Sequence, residues 1–355
     1  MTDYSITSRR EQVGAYGFHD VHPNVRFGTA SDRYAGWIGQ IYPEAYEAQV
    51  QSRTRRLGGQ TFEERMLPVE TVGDYFAHFG VLELDFTFYR PLREADGRPS
   101  PSLFVLQQYA AHAPEDAMFY LKVPQTYFAR TLRRSAGGRV SYEDNPSFLD
   151  AAAYTAQFHE PAVEVLGERL AGMLFEQEYQ RVSESPAPEE NVAELDAFFQ
   201  RIPNDVQAHV ELRSEHLLVP PYFEWLASRG IGFVFSHWTW LPPIRKQWRL
   251  SGGVFTAADG TAVTRLLTPQ NVKYEQAYAM AHPFDRTVPE IAETQQARDM
   301  VLDAVALTYQ AERQDALLNV IANNRAWGNA PALAQTIAYR ILDEEEKRDG
   351  KVENG

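Results

Sequence analysis

Cysteine is absent from all 355 residues. The chain therefore has no disulfide framework, no thiolate nucleophile and no cysteine-ligated metal. Long apolar runs are missing as well. No stretch approaches the roughly 18 apolar residues that cross a bilayer, and the opening MTDYSITSRREQVGAYGF has no apolar signal core. Both absences lead us to expect a cytoplasmic protein with no membrane partner. The GxSxG elbow, the Walker sequence, GxGxxG and HExxH do not occur, so four familiar chemistries lack sequence support. Positive charge is scarce: 34 Lys and Arg stand against 48 Asp and Glu, for a net charge of -14. That balance disfavours non-specific binding to nucleic acid, although a local basic cleft stays open.

What is present is a normal globular balance, 44% hydrophobic and 23% charged, with chain enough for a large core. Eight strand-like segments alternate with helical ones, over residues 25–30, 82–90, 117–123, 172–177, 207–213, 231–237, 261–267 and 317–324. Such alternation predicts parallel βα units, and eight of them close a barrel. The expected architecture is one α/β domain, a TIM-type (β/α)8-like barrel over residues 25–347. Residues 1–24 read as a polar arm and 348–355 as a polar tail. Long βα connections follow the first and seventh strands; the polar, arginine-bearing stretch 44–60 and the irregular stretch 268–289 have the length of insertions or lids.

The stretch LELDFTFYR, residues 82–90, carries the clearest chemistry. As an extended strand it places Leu82, Leu84, Phe86 and Phe88 on one face and Glu83, Asp85, Thr87 and Tyr89 on the other. In a closed barrel the apolar face meets the helices and the other points inward, where carboxylates need partners. The remaining strand ends bring Lys122, Gln177, Glu211, Arg213, His237, Arg265, Asn323 and Asn324 to the same rim. Arg213, Arg265 and Lys122 suit an anionic group. Glu83 or Glu211 beside them is equipped for general acid/base work, and Lys122 for electrophilic work if its pKa is depressed. The plainer reading is that Glu211–Arg213 and Glu83–Lys122 are ion pairs spanning the barrel. Tyr34, Trp37 and Tyr42 lie in a glycine-rich loop that is either a packed Ω-type loop or an aromatic pocket wall. A metal quartet of His209, Glu211, Glu83 and His237 is one reading, but hydrogen-bonded core or surface histidines are the simpler account. No cofactor is indicated.

The motifs also resemble a known family. FGTASDRYAGWIGQIYP, LELDFTFYR, FYLKVP, MLFEQ, VELRS and LNVIANNRAWGNAPALAQTIAYRIL follow, in order, the motifs of the YecE-like family, domain of unknown function 72. The resemblance implies a TIM-type barrel with polar residues at its strand ends but no reaction. Carried over by motif, it marks Tyr34, Trp37, Glu83, Thr87, Tyr89, Lys122, Gln177, Glu211, Arg213, Asn323 and Asn324. The chain departs from the pattern at Asp32, where the family has tryptophan, at Asp85 (asparagine), at Ser214 (histidine) and at Leu267–Thr268, where the family's His-Gly follows the strand. The leading expectation is an enzyme acting on a small or medium polar, anionic substrate. A nucleic-acid or nucleotide-binding module and a barrel without catalysis are the alternatives.

Overall fold

The protein is described by a computed structural model over residues 5–136 and 139–352. Eight parallel strands close into a barrel: β1 (Val25–Ala30), β2 (Val81–Leu84), β3 (Met118–Lys122), β4 (Leu170–Gln177), β5 (Ala208–Leu212), β6 (Gly232–His237), β7 (Thr261–Leu266) and β8 (Leu317–Ala322). Each pairs with its neighbour in sequence. β1 closes the ring between β8, where Val25 faces Leu318, and β2, where Ala30 faces Glu83. Among the described residues no helix is long and apolar enough to cross a membrane.

Strand alternation sorts the side chains. In β4, Met173 and Phe175 join the outer core under the helices, while Leu174 belongs to an inner cluster with Val81, Tyr120, Val234, Val263 and Ile321. The barrel interior is thus filled in layers, as a packed core. At the amino end of the strands Asn319 Nδ2 donates to Tyr120 Oη (3.1 Å), and His209 Nε2 meets Thr261 Oγ1 (3.3 Å). Gly232 makes room there, because a Cβ on it would lie 2.0 Å from His209 Nδ1. Above is the aliphatic layer of Val81, Leu174, Val234, Val263 and Ile321. The same parity then sets Glu83, Lys122, Glu176, Glu211, Ser236 and Arg265 at the carboxyl end.

Several expected boundaries move. The strand expected over 82–90 stops at Leu84, and Phe86–Tyr89 turns as a 3-10 helix. Thr87 ties the turn down: its single hydroxyl proton is shared between the carbonyls of Lys122 (2.6 Å) and Leu84 (3.0 Å), holding the chain over the end of β3. Asp85, Thr87 and Tyr89 therefore do not extend an inward row below Glu83. The 44–60 stretch leads into an antiparallel hairpin, Gln51–Leu57 with Gln60–Met66, and a second hairpin, Thr131–Ala136 with Arg139–Asp144, follows β3. The 268–289 connection contains the helix Tyr274–Ala281. Within the arm expected over residues 1–24, Ile6–Gly14 is a helix capped by Ser5, whose Oγ accepts from Ser8 N.

Candidate functional site

At the carboxyl end of the barrel three carboxylates meet three cations. Arg265 grips Glu83 through two parallel bonds, Nε to Oε2 (2.7 Å) and Nη2 to Oε1 (2.6 Å). Its Nη1 donates to Glu211 Oε2 and lies 3.5 Å from Glu176 Oε2. Glu211 also accepts from Arg213 Nη2 (3.1 Å) on Oε2 and from Ser236 Oγ on Oε1. Glu176 Oε2 accepts from Lys122 Nζ (2.7 Å) and Arg213 Nη2 (2.7 Å). Six charges of opposite sign, three and three, therefore form one network, as a buried ionic group requires.

The network has a sealed side and an open side. Glu83 and Glu211 are fully buried, whereas the side chain of Glu176 keeps 15% of its surface and that of Lys122 9%. Burial pushes the Glu83 carboxyl up, against the pull of Arg265. Burial acts the same way on Glu176, but Arg213, Lys122 and Arg265 together outweigh it and hold that carboxyl well below the usual range. Burial disfavours the charge on Arg265, yet Glu211, Glu83 and Glu176 raise its pKa. Two rings flank the open side: Lys122 Nζ sits 3.9 Å from the centroid of Phe88, and the Arg213 guanidinium 4.1 Å from that of Trp238. Nε and Nη1 of Arg213 are buried without a hydrogen-bond partner, and so is Trp238 Nε1.

Beside this layer, over the ends of β1, β2 and β8, opens a cavity of about 510 Å³. Its floor includes Tyr34, Asp85, Asn323, Asn324 and Arg325, and Tyr89 stands at its edge. The first hairpin and the helix Tyr274–Ala281 roof it. Arg55 Nη2 donates to Tyr274 Oη (3.1 Å), Tyr278 Oη donates to Glu64 Oε1 (2.7 Å), and Phe62 packs edge-on to Tyr278 with centroids 5.0 Å apart. Both stretches expected to be insertions thus meet above one cavity.

The fold brings together Glu83, Lys122, Glu211, Arg213 and Arg265 in the ionic layer, and Tyr34, Asp85, Tyr89, Asn323 and Asn324 around the cavity. Three others lie elsewhere. Trp37 is fully buried and spends its Nε1–H on Asn324 Oδ1 (3.1 Å), holding a loop. Thr87 is buried on the two carbonyls described above. Gln177 lies on the outer side of β4, paired with Asn191 through Nε2 (2.8 Å). The expected Glu83–Lys122 pair is also replaced, since Lys122 meets Glu176 and Glu83 meets Arg265. The metal quartet does not assemble. His209 lies in the lowest layer, and His237 bonds the carbonyl of Thr268 through Nδ1 (2.9 Å); burial lowers both to about 4. Sequence reasoning missed Glu176 and Ser236. Strand parity was the available signal: Met173 and Phe175 facing outward force Glu176 inward, and Phe233 and Phe235 do the same for Ser236.

A family model described as "Protein of unknown function DUF72" matches residues 26–353. Among solved structures, a DUF72 family protein from Thermotoga maritima is similar at 18% identity, with a TM-score of 0.52, covering 90% of this chain and 99% of the other. A second, from Enterococcus faecalis, is similar at 14% identity and a TM-score of 0.52, covering 90% of this chain and 95% of the other. At these identities the likeness concerns the fold. No curated relative matches.

Proposed function

The chain belongs to the DUF72 family, whose function is unknown, and from that premise we propose that the barrel mouth binds the anionic group of a small or medium polar substrate between Arg213 and Lys122. One observation carries this reading. Arg213 is 5% exposed, and two of its nitrogens, Nε and Nη1, have no acceptor. Leaving buried donors unpaired is costly, and a carboxylate or phosphate oxygen arriving at the open side satisfies them. Lys122, next to it on Glu176, adds a second cation.

The acid/base role then falls to Glu176 instead of Glu83 or Glu211. The oxygens of those two are already engaged by Arg265, Arg213 and Ser236, and they act as holders of Arg265. The contacts of Glu176 fall on Oε2. In the free protein its depressed pKa makes it a weak base. An incoming anion that draws Arg213 and Lys122 toward itself removes the attraction responsible, and the carboxyl rises toward the range useful for proton transfer. Substrate binding and base strength are thereby linked. Calorimetric titration of inorganic phosphate and of oxalate tests the anion site: Arg213→Gln and Lys122→Met should each weaken binding by about tenfold. Unchanged affinity in a folded Arg213→Gln protein rejects it. A turnover found by substrate screening that survives Glu176→Gln rejects the acid/base assignment.

A further inference from the structure

We infer that the cavity under the first hairpin is a second compartment, which holds a planar, donor-bearing ring carrying its own anionic group. The inference rests on reading the barrel mouth as a ligand site but uses a different set of side chains.

Charge is the first ground. Among the described residues, most arginines around the cavity are matched: Arg53 and Arg55 share Glu64, Arg65 pairs with Glu47, and Arg90 with Glu94. Among the described residues, Arg33 and Arg325 have no ion-pair partner within 4 Å. Arg33 donates Nε to the carbonyl of Leu67 (2.5 Å), and the nearby acidic group that feels its charge is the buried Asp32. Arg325 lies with its guanidinium 4.6 Å from the centroid of Tyr274, and its Nε is buried without a partner. Two unpaired cations inside a chain of net charge -14 mark a local place for an anion.

Hydrogen bonding is the second. Asn324 is 2% exposed and lines the cavity. Its amide orientation is fixed, because Oδ1 accepts from both Trp37 Nε1 (3.1 Å) and Ala330 N (2.7 Å). Nδ2 is consequently a donor, and it is buried without a partner. Asn324 Nδ2 and Arg325 Nε, contributed by consecutive residues, both call for an acceptor.

The walls supply the rest. Tyr34, Phe86, Tyr89, Tyr274 and Tyr278 give aromatic lining to a volume within the roughly 300–1,000 Å³ of small-molecule sites. Asp85 is held by Ser31 Oγ alone among the described side chains, at 3.3 Å. It repels an anion from its own side and offers an oxygen to a donor on the ring. Acceptor-seeking, cationic groups and a carboxylate lining one cavity suit a ligand that carries both an anionic group and a hydrogen-bond donor.

Three probes separate the elements of this reading: adenosine 5′-monophosphate (ring, ring donor and anion), 2-naphthoate (ring and anion) and inorganic phosphate (anion alone). Calorimetry should show adenosine 5′-monophosphate binding about tenfold or more tightly than phosphate, with 2-naphthoate weaker than the nucleotide. Arg325→Met should erase most of the nucleotide's advantage, and Tyr274→Leu, which removes the ring beneath Arg325, should reduce it. Melting temperatures establish that each variant is folded. Equal binding of nucleotide and phosphate, or an unchanged nucleotide affinity in whichever of the two variants is folded, overturns the inference; naphthoate matching the nucleotide overturns the acceptor role given to Asp85. Arg213→Gln tests the neighbouring anion site through phosphate, so either reading can fail without the other.

Discussion

Arg265 is the residue on which the ionic layer turns, because it reaches Glu83, Glu211 and Glu176 from one guanidinium. Removing one member of a buried charge network leaves the others unpaired, which costs roughly 3–5 kcal/mol. Arg265→Met should cost at least that in urea denaturation. Lys122→Met should cost clearly less, since Lys122 sits at the open side and donates to Glu176, which Arg213 also holds. Equal costs would contradict the division into sealed and open sides. Asp32 makes a second residue-scale case, at a position where the family motif has tryptophan. Its Oδ1 accepts from Tyr109 Oη (2.6 Å), its Oδ2 is buried without a partner, and burial pushes its pKa up from 3.8 to about 6. A carboxyl raised on folding binds more protons in the native state, so its stabilising contribution is complete below about pH 4 and is lost as pH rises to about 6. Asp32→Asn keeps the acceptor for Tyr109 and removes the charge. Unfolding free energies of the two proteins from urea titration should coincide near pH 4 and diverge by about 2–3 kcal/mol in favour of the variant above pH 6.

Elements with one face in the core were legible from the sequence, and elements without one were not. All eight barrel strands stand within a few residues of their expected places, apart from β2, which ends early, because large apolar side chains at every second position must face the helices. The hairpin Gln51–Leu57/Gln60–Met66 reads QSRTRRL and QTFEERM, exposed along most of its length, so no apolar alternation betrays it. The TLRRSA and RVSYED strands of the second hairpin likewise read without apolar alternation. Candidate residues followed suit. Glu83, Glu211 and Arg213 were found because they alternate with core residues, while Gln177 displaced Glu176 by a single step of parity. The first hairpin is held to the rest by few groups, chiefly Phe62, Glu64 and Arg55 on the helix Tyr274–Ala281. An element so attached opens locally at lower free energy than the barrel. Phe62→Ala removes contacts with Tyr278 and with His282, whose ring centroid lies 5.2 Å away. Hydrogen exchange should accelerate over residues 51–66 in that variant while β1 to β8 keep wild-type protection. Acceleration spread evenly over the barrel would mean that the hairpin is part of the core and not a movable roof.

At the scale of the whole molecule, a barrel is held shut where its first and last units meet, and here the amino-terminal segment straps that seam. The helix Ile6–Gly14 lies along the closing helix Ala330–Val352. Arg9 grips Glu345 in a two-pronged pair, Nη1 to Oε2 (2.9 Å) and Nη2 to Oε1 (2.5 Å), and Arg10 reaches Asp343 (2.7 Å) and Glu346 (3.1 Å). Gln335 Nε2 donates to the carbonyl of Val13 (2.9 Å). Val13 is buried, and Phe18, just beyond the helix, packs on Phe27 of β1 and on Phe79. Exposed ion pairs contribute little, but the Arg9 pair has the paired geometry that makes such contacts count, and its side chain is 12% exposed. Together with the burial of Val13, the strap should contribute about 2–4 kcal/mol. Deleting residues 1–15 should therefore lower the melting temperature by roughly 3–5 °C. Arg9→Gln alone should give a smaller part of that loss, and high salt should shrink the Arg9→Gln difference more than the truncation difference, since salt screens charge and leaves the Val13 contact intact. A truncated protein that melts with the full chain would show that the seam between β1 and β8 closes by strand pairing and outer packing alone, and that the first helix adds nothing to it.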